Sequence, residues 1–151
     1  MQVQHIMTIA PLKCGPQATL ADAAALMWHG DCGIVPVVDD AGHVLGVLTD
    51  RDICIAAWSQ NRPLAEISAR DLLRREPVTC RPTDDVQVAL SLMHDHRVRR
   101  LPVVDEHGIL EGILSINDVV LAAGGTFDVN PTEVLEAFKG IGAHHSMVLV
   151  A

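Results

Sequence analysis

Two short segments carry the residue types best placed to hold a ligand. Gly46-Val-Leu-Thr-Asp-Arg-Asp52 and Gly112-Ile-Leu-Ser-Ile-Asn-Asp118 share the pattern Gly-aliphatic-aliphatic-Thr/Ser-x-x-Asp. A helix beginning at Thr49 or Ser115 presents unpaired backbone N–H groups and the positive end of its dipole, which suits a phosphate. The hydroxyl adds a donor, and the carboxylate of Asp52 or Asp118 can accept from a ligand's hydroxyls. Gly46 and Gly112 have no Cβ, so backbone can approach a ligand closely. The same spacing also matches a capping box with Asp in place of Glu or Gln, and a cap needs no ligand. Both readings are open on these residues alone.

Charge separates the two segments. Arg97, Arg99 and Arg100 precede the β-branched run before the second, where Asp31, Gly33 and Ile34 stand before the first. Arg51 adjoins Asp52, whereas Asn117 adjoins Asp118. Arginine binds phosphate bidentately, so these are the candidate anion contacts; a solvated basic face would use the same residues. Val35-Pro36 and Leu101-Pro102 are candidate apolar walls for a base, or ordinary strand core. His94-Asp-His96 and His144-His145 match no metal-ligand spacing, so no metal site is expected. Cys14 and Cys80 read as core thiols, and Cys32, beside Gly33, as the exposed one. There is no nucleophile–base–orienter set and no pair of catalytic carboxylates, so an enzyme is not expected.

The elements that position these residues come from a duplication. Residues 11–54 recur as residues 77–120 at an offset of 66, with 14 identities in 44 positions, where average composition predicts about three. Pro36-Val-Val-Asp39 matches Pro102-Val-Val-Asp105, Gly42 matches Gly108, and Leu26-Met27 matches Leu92-Met93. Each copy reads as β-α-β-β-α. An extended piece (Pro11–Cys14, Pro77–Cys80) precedes a helix capped at Thr19 or Asp85. Strands over 34–39 and 100–105 turn at Gly42 and Gly108, return over 43–48 and 109–114, and feed a second helix. The expected organisation is a first repeat over 1–60, a connecting segment over 61–75, a second repeat over 76–122 and a tail over 123–151. In that tail Gly124-Gly125 breaks the chain. Asn130-Pro131 then opens a helix with Val134, Leu135 and Phe138 on one side.

Bulk properties narrow the function classes. The chain has 151 residues, 49% hydrophobic and 20% charged, with a formal net charge of −8. A negative chain is not drawn to nucleic acid as a whole. Seven arginines nevertheless fall within residues 70–100. No run is long enough to span a bilayer, the opening residues do not read as a secretory signal, and the four cysteines form no CxxC. A cytoplasmic protein with reduced thiols is expected.

The two copies resemble cystathionine-β-synthase (CBS) domains, and the resemblance covers residues 6–122. The resemblance implies an α/β (α+β) fold: two pseudo-symmetric units packed sheet to sheet with helices outside. It also implies clefts between the units that take adenine nucleotides or related adenosyl compounds. Thr49 and Ser115 would then contact phosphate, and Asp52 and Asp118 ribose. The differing arginines predict unequal clefts. The implied protein is a non-catalytic regulatory module with AMP, ADP or ATP as ligand and no required cofactor. It would form a homodimer through its helices and act on a separate partner chain, with neither nucleic acid nor membrane insertion. A ligand-free dimerisation scaffold is the alternative, with a redox- or metal-responsive module behind it.

Overall fold

Each repeat folds as a helix, a β-hairpin and a second helix. The computed structural model describes residues 1–123 and 130–143, so Gly124-Gly125 and His144-His145 lie outside the described residues. A two-residue strand β1 (Thr8–Ile9) comes first. The first repeat follows with α1 (Leu20–His29), β2 (Ile34–Val38), β3 (Val44–Thr49) and α2 (Asp50–Gln60). The second holds α3 (Val86–His96), β4 (Arg100–Val104), β5 (Leu110–Ser115) and α4 (Ile116–Ala122). A further helix, α5 (Pro131–Gly142), ends the described chain. The expected opening strands are reduced to single parallel bridges, Cys14 with Val37 and Cys80 with Val103.

Local chemistry explains the element ends. Thr19 caps α1 through a complete capping box with Asp22. Asp85 caps α3 through the Gln87 N–H. In each hairpin turn one aspartate oxygen accepts two backbone N–H groups, those of Ala41 and His43 at Asp39 and those of His107 and Ile109 at Asp105. Hydrogen bonding, led by the Ile109 N–H, holds the Asp105 carboxyl below its ordinary pKa. Gly42 (φ +94°) and Gly108 (φ +83°) supply the left-handed step these turns need. The two hairpins meet at their tips, where Val44 donates to Gly108 and Leu110 donates to Gly42. The two bonds are equivalent under the 66-residue offset.

The two cores are closed by exchange. Val3, from the N-terminus, is fully buried in the core of the second repeat. Ile67 and Ala69, from the segment between the repeats, are fully buried in the core of the first. The backbone bonds come in matching pairs. Leu20 donates to Ile67 and Val86 donates to Met1; Ala69 donates to Ala18 and Val3 donates to Asp84. β1 adds antiparallel to β5, extending the second hairpin to three strands. The Met1 ammonium closes on Asp85 at 3.0 Å.

α5 begins as expected, with Asn130 accepting from Thr132 and Pro131 in the first turn. Its inner face differs from the expectation. Val134 and Ala137 are buried, whereas Leu135 (55% exposed) and Phe138 (41%) face outward. The close seat on α3, with Gly140 against His94, favours a small residue at the contact.

Ile67 therefore behaves as core. Ile67→Ala is expected to lower the unfolding free energy by about 3 kcal/mol in a urea titration. A loss below about 1 kcal/mol would mean that the segment is a mere connector.

Candidate functional site

Both Gly-to-Asp segments sit where a strand becomes a helix, and both form complete capping boxes. Asp52 Oδ2 accepts from the Thr49 backbone N–H (2.9 Å) and hydroxyl (2.7 Å), while Thr49 Oγ1 accepts from the Asp52 N–H (3.2 Å). Ser115 and Asp118 repeat this arrangement at 2.7, 2.7 and 3.2 Å. The hydroxyls are thus occupied by the cap. In each carboxylate these bonds use Oδ2 and leave Oδ1 for a ligand. The cap fixes each carboxylate rigidly at the end of its strand, which is what a preorganised acceptor requires.

Two clefts related by the offset open beside these caps. The Ser115 cleft has a volume of about 480 Å³. The second repeat contributes Arg100, Ile113, Ser115 and Asp118 to it. Its opposite wall comes from the first repeat, with Pro11, Leu12 and Ile34 apolar and Asp31 and Cys32 polar, and Thr8 lies at its rim. The Arg74 cleft, of about 520 Å³, holds Gly46, Val47 and Asp52 from the first repeat. Facing them are Pro77, Val78, His96 and Val98, with Leu73, Arg74, Arg75 and Glu76 from the connecting chain. Thr8 and Arg74, Pro11 and Pro77, Gly30 and His96, and Asp118 and Asp52 are equivalent pairs across the two clefts.

The structure brings Arg100, Ser115 and Asp118 together in one cleft, and Gly46 and Asp52 together in the other. Other candidates fall elsewhere. Arg51 and Asn117 are exposed on their helices. Arg99 is exposed, and its carbonyl accepts from Ile116 at 2.9 Å. Val35 and Leu101 have no exposure and belong to the two cores. Pro36 and Pro102 are buried, and their carbonyls bind the N–H groups of Cys14 and Cys80. Strand alternation accounts for this: with Val35 and Val37 turned inward, Ile34 forms the cleft wall. The close approach at Gly46 and Gly112 is made by the chain itself. A Cβ would meet Leu73 at 2.6 Å in the first case, and Met7 Sδ and the Thr8 carbonyl at 2.8 Å in the second.

Sequence reasoning missed Thr8, Asp31, Arg74, Arg75 and His96 as cleft residues. The offset itself carried the signal: it pairs His96 with Gly30, and extended backward it places Arg74 on Thr8. Among the described residues, no three His, Cys, Asp or Glu side chains are grouped to hold a metal. His94 Nδ1 pairs with Asp95 at 2.9 Å rather than with His96. No described helix is long and apolar enough to cross a membrane.

The thiols require one correction. Cys14 and Cys80 are buried, but Cys54, not Cys32, is the exposed thiol. Cys32 is half-buried and lies 3.4 Å from the Ile34 carbonyl. Cys54 faces out because Ile53 and Ala56 occupy the inner face of α2.

Known proteins share this architecture. Residues 3–59 and 69–125 each match the family model of the CBS domain. The CBS domain-containing protein YhcV of Bacillus subtilis is 33% identical over 123 residues, covering 79% of this chain and 83% of its own. Among solved structures, Hypoxic Response Protein I with two coordinated zinc ions is 30% identical, with a TM-score of 0.74 over 80% of this chain and 98% of its own. CBSX2 of Arabidopsis thaliana, solved in complex with AMP, is also 30% identical, with a TM-score of 0.71 over 81% of this chain and 95% of its own.

Burial pushes the Cys80 thiol up to about 12 and raises Cys14 in the same direction. A raised pKa keeps the unreactive thiol form. Titration with a thiol reagent at pH 8 should therefore find Cys54 fastest and Cys32 second. Cys14 and Cys80 should react only on unfolding; rapid labelling of all four would contradict these positions.

Proposed function

The chain belongs to the CBS domain family as a tandem pair, and from that premise we propose that it is a non-catalytic regulatory module. It binds an adenine nucleotide (AMP, ADP or ATP) or a related adenosyl ligand between its two units and signals occupancy to a separate protein. The observation that carries this reading is the composition of the Ser115 cleft. Pro11, Leu12, Ile34 and Ile113 offer an apolar slot for a base, Asp118 an acceptor for ribose hydroxyls, and Arg100 and Thr8 donors for a phosphate. Its volume lies within the range of small-ligand sites, about 300–1,000 Å³. The AMP complex of CBSX2 supports the same ligand class.

A ligand there touches both repeats at once. It would favour one arrangement of the two hairpins, and that difference in affinity between states is what a partner can read. The reading also includes a homodimer through the α1–α2 layer. Trp28, beside Asp50 and Ile53, and Trp58, near the end of α2, are each 84% exposed. Exposed tryptophans of this kind are enriched at interfaces. On the second repeat the matching α3 surface is already covered by α5, which buries Leu90.

In a thermal-shift screen, an adenosyl ligand at about 100 times its Kd should stabilise the protein by about 2.7 kcal/mol. A flat response to AMP, ADP, ATP and other adenosyl compounds selects the scaffold alternative. Asp118→Asn keeps an acceptor for the cap but loses the charge, and should weaken binding by about tenfold or more. For the dimer, Trp28→Ser with Trp58→Ser should convert the protein to a monomer in light scattering. An unchanged mass would place the interface elsewhere.

A further inference from the structure

The two clefts are equivalent in backbone and unequal in charge. The Ser115 cleft has one cation, Arg100, against two carboxylates, Asp31 and Asp118. The Arg74 cleft is lined by Arg74 and Arg75 from the connecting chain, by His96, and by the carboxylates Asp52 and Glu76. Arg74 and Arg75 are exposed, and among the described residues neither forms an ion pair. Two guanidinium groups without ion-pair partners lining one cleft favour a multiply charged anion that can bridge them. The corresponding positions beside the Ser115 cleft are Thr8 and Ile9, which carry no charge.

A second hollow of about 420 Å³ lies along α2 beside the Arg74 cleft. The two share Asp52, Leu72 and Arg74, and the far end of the hollow is lined by the polar side chains of Ser59 and Gln60. A ligand seated by Asp52 can therefore extend a charged tail past Arg74 toward two neutral hydrogen-bonding groups. At the Ser115 cleft the positions equivalent to Leu72 and Arg74 are Ile6 and Thr8, which bring no charge to that edge.

We infer that the Arg74 cleft is the site of a nucleoside di- or triphosphate, and that the Ser115 cleft takes an adenosyl ligand with one phosphate or none. This assignment rests on the adenosyl-binding reading above and divides that ligand class between the two sites. Arg74 and Arg75 hold the polyphosphate, and Asp52 Oδ1 accepts from the ribose. In the Ser115 cleft Arg100 supplies the single cationic contact, and Asp31 and Asp118 repel additional negative charge.

The test is titration calorimetry on the full chain in magnesium-free buffer. Its probes are adenosine, AMP, ADP, ATP and inorganic tripolyphosphate, used on the wild type, R74Q/R75Q and Arg100→Gln. The double variant should lose about tenfold or more in ATP affinity and all tripolyphosphate binding. Its AMP affinity at the Ser115 cleft should stay within about twofold. Its ATP binding should also become less salt-dependent. Arg100→Gln should show the converse, a weakened AMP site and an intact ATP site. Because Arg74 and Arg75 are exposed and unpaired, the unliganded melting temperature of the double variant should match the wild type. Equal losses for AMP and ATP in the double variant, or ATP affinity left unchanged, would overturn the assignment while leaving adenosyl binding in place. A wild-type protein that gives no heat with any of the four adenosyl probes would overturn the adenosyl reading, and this division with it.

Discussion

The reciprocal exchange of leading segments is the constraint on which the rest of this fold depends. Neither repeat owns a complete core. The first takes Ile67 and Ala69 from the chain that leads into the second, and the second takes Val3 from the N-terminus. A β-hairpin with two helices is a small unit with little apolar area to bury. The borrowed residues close each core, and the backbone bonds of Leu20 to Ile67 and Val86 to Met1 tie each lead segment to the start of the partner's helix. The two units therefore fold as one object, although the sequence repeats itself.

The same segments build the clefts. After leaving the borrowed core, each lead segment runs across the opposite hairpin at its glycine. Leu73 presses on Gly46, and Met7 and Thr8 press on Gly112. The chain then passes along the cleft rim, leaving Arg74 and Arg75 at one site and Thr8 at the other. Core closure and the cleft rim thus lie only a few residues apart on one stretch of chain. Under the proposed function, a ligand that shifted the rim would act on a segment anchored by Val3 or Ile67.

The parts legible in the sequence were those governed by short-range rules. Capping at Thr19, Thr49, Asp85, Ser115 and Asn130, the turns at Gly42 and Gly108, and the buried runs of β2 and β4 all follow from local spacing. The exchange was not legible, because residues 1–10 and 67–76 share no identity under the offset. They share only apolar positions: Met1 with Ile67, Val3 with Ala69, Ile6 with Leu72 and Met7 with Leu73. Apolar matches of that kind carry too little information to separate a connector from a core segment. The cleft residues Arg74 and Arg75 were hidden for the same reason. Val35 and Leu101 were candidates by adjacency to the wall, but strand alternation turned them inward and left Ile34 and Arg100 at the clefts. On α5 the spacing grouped Leu135 and Phe138 with Val134, although both face outward, and overlooked Ala137, whose small side chain lets the helix seat on α3.

Where the copies agree and where they differ follows a physical division. The shared Pro-Val-Val-Asp run, the turn glycines and the final aspartates serve strand pairing, chain reversal and helix capping. Each has a narrow stereochemical solution, so both copies need the same residue. The rims and the outer helix faces have no such requirement. There Arg74 stands against Thr8, Asp31 against Arg97, and Trp28 against His94. His94 lies under Gly140 of α5, while Trp28 stands open. Twofold symmetry is thus kept where folding depends on it. It is broken at the clefts and on the outer helices, where no such requirement acts.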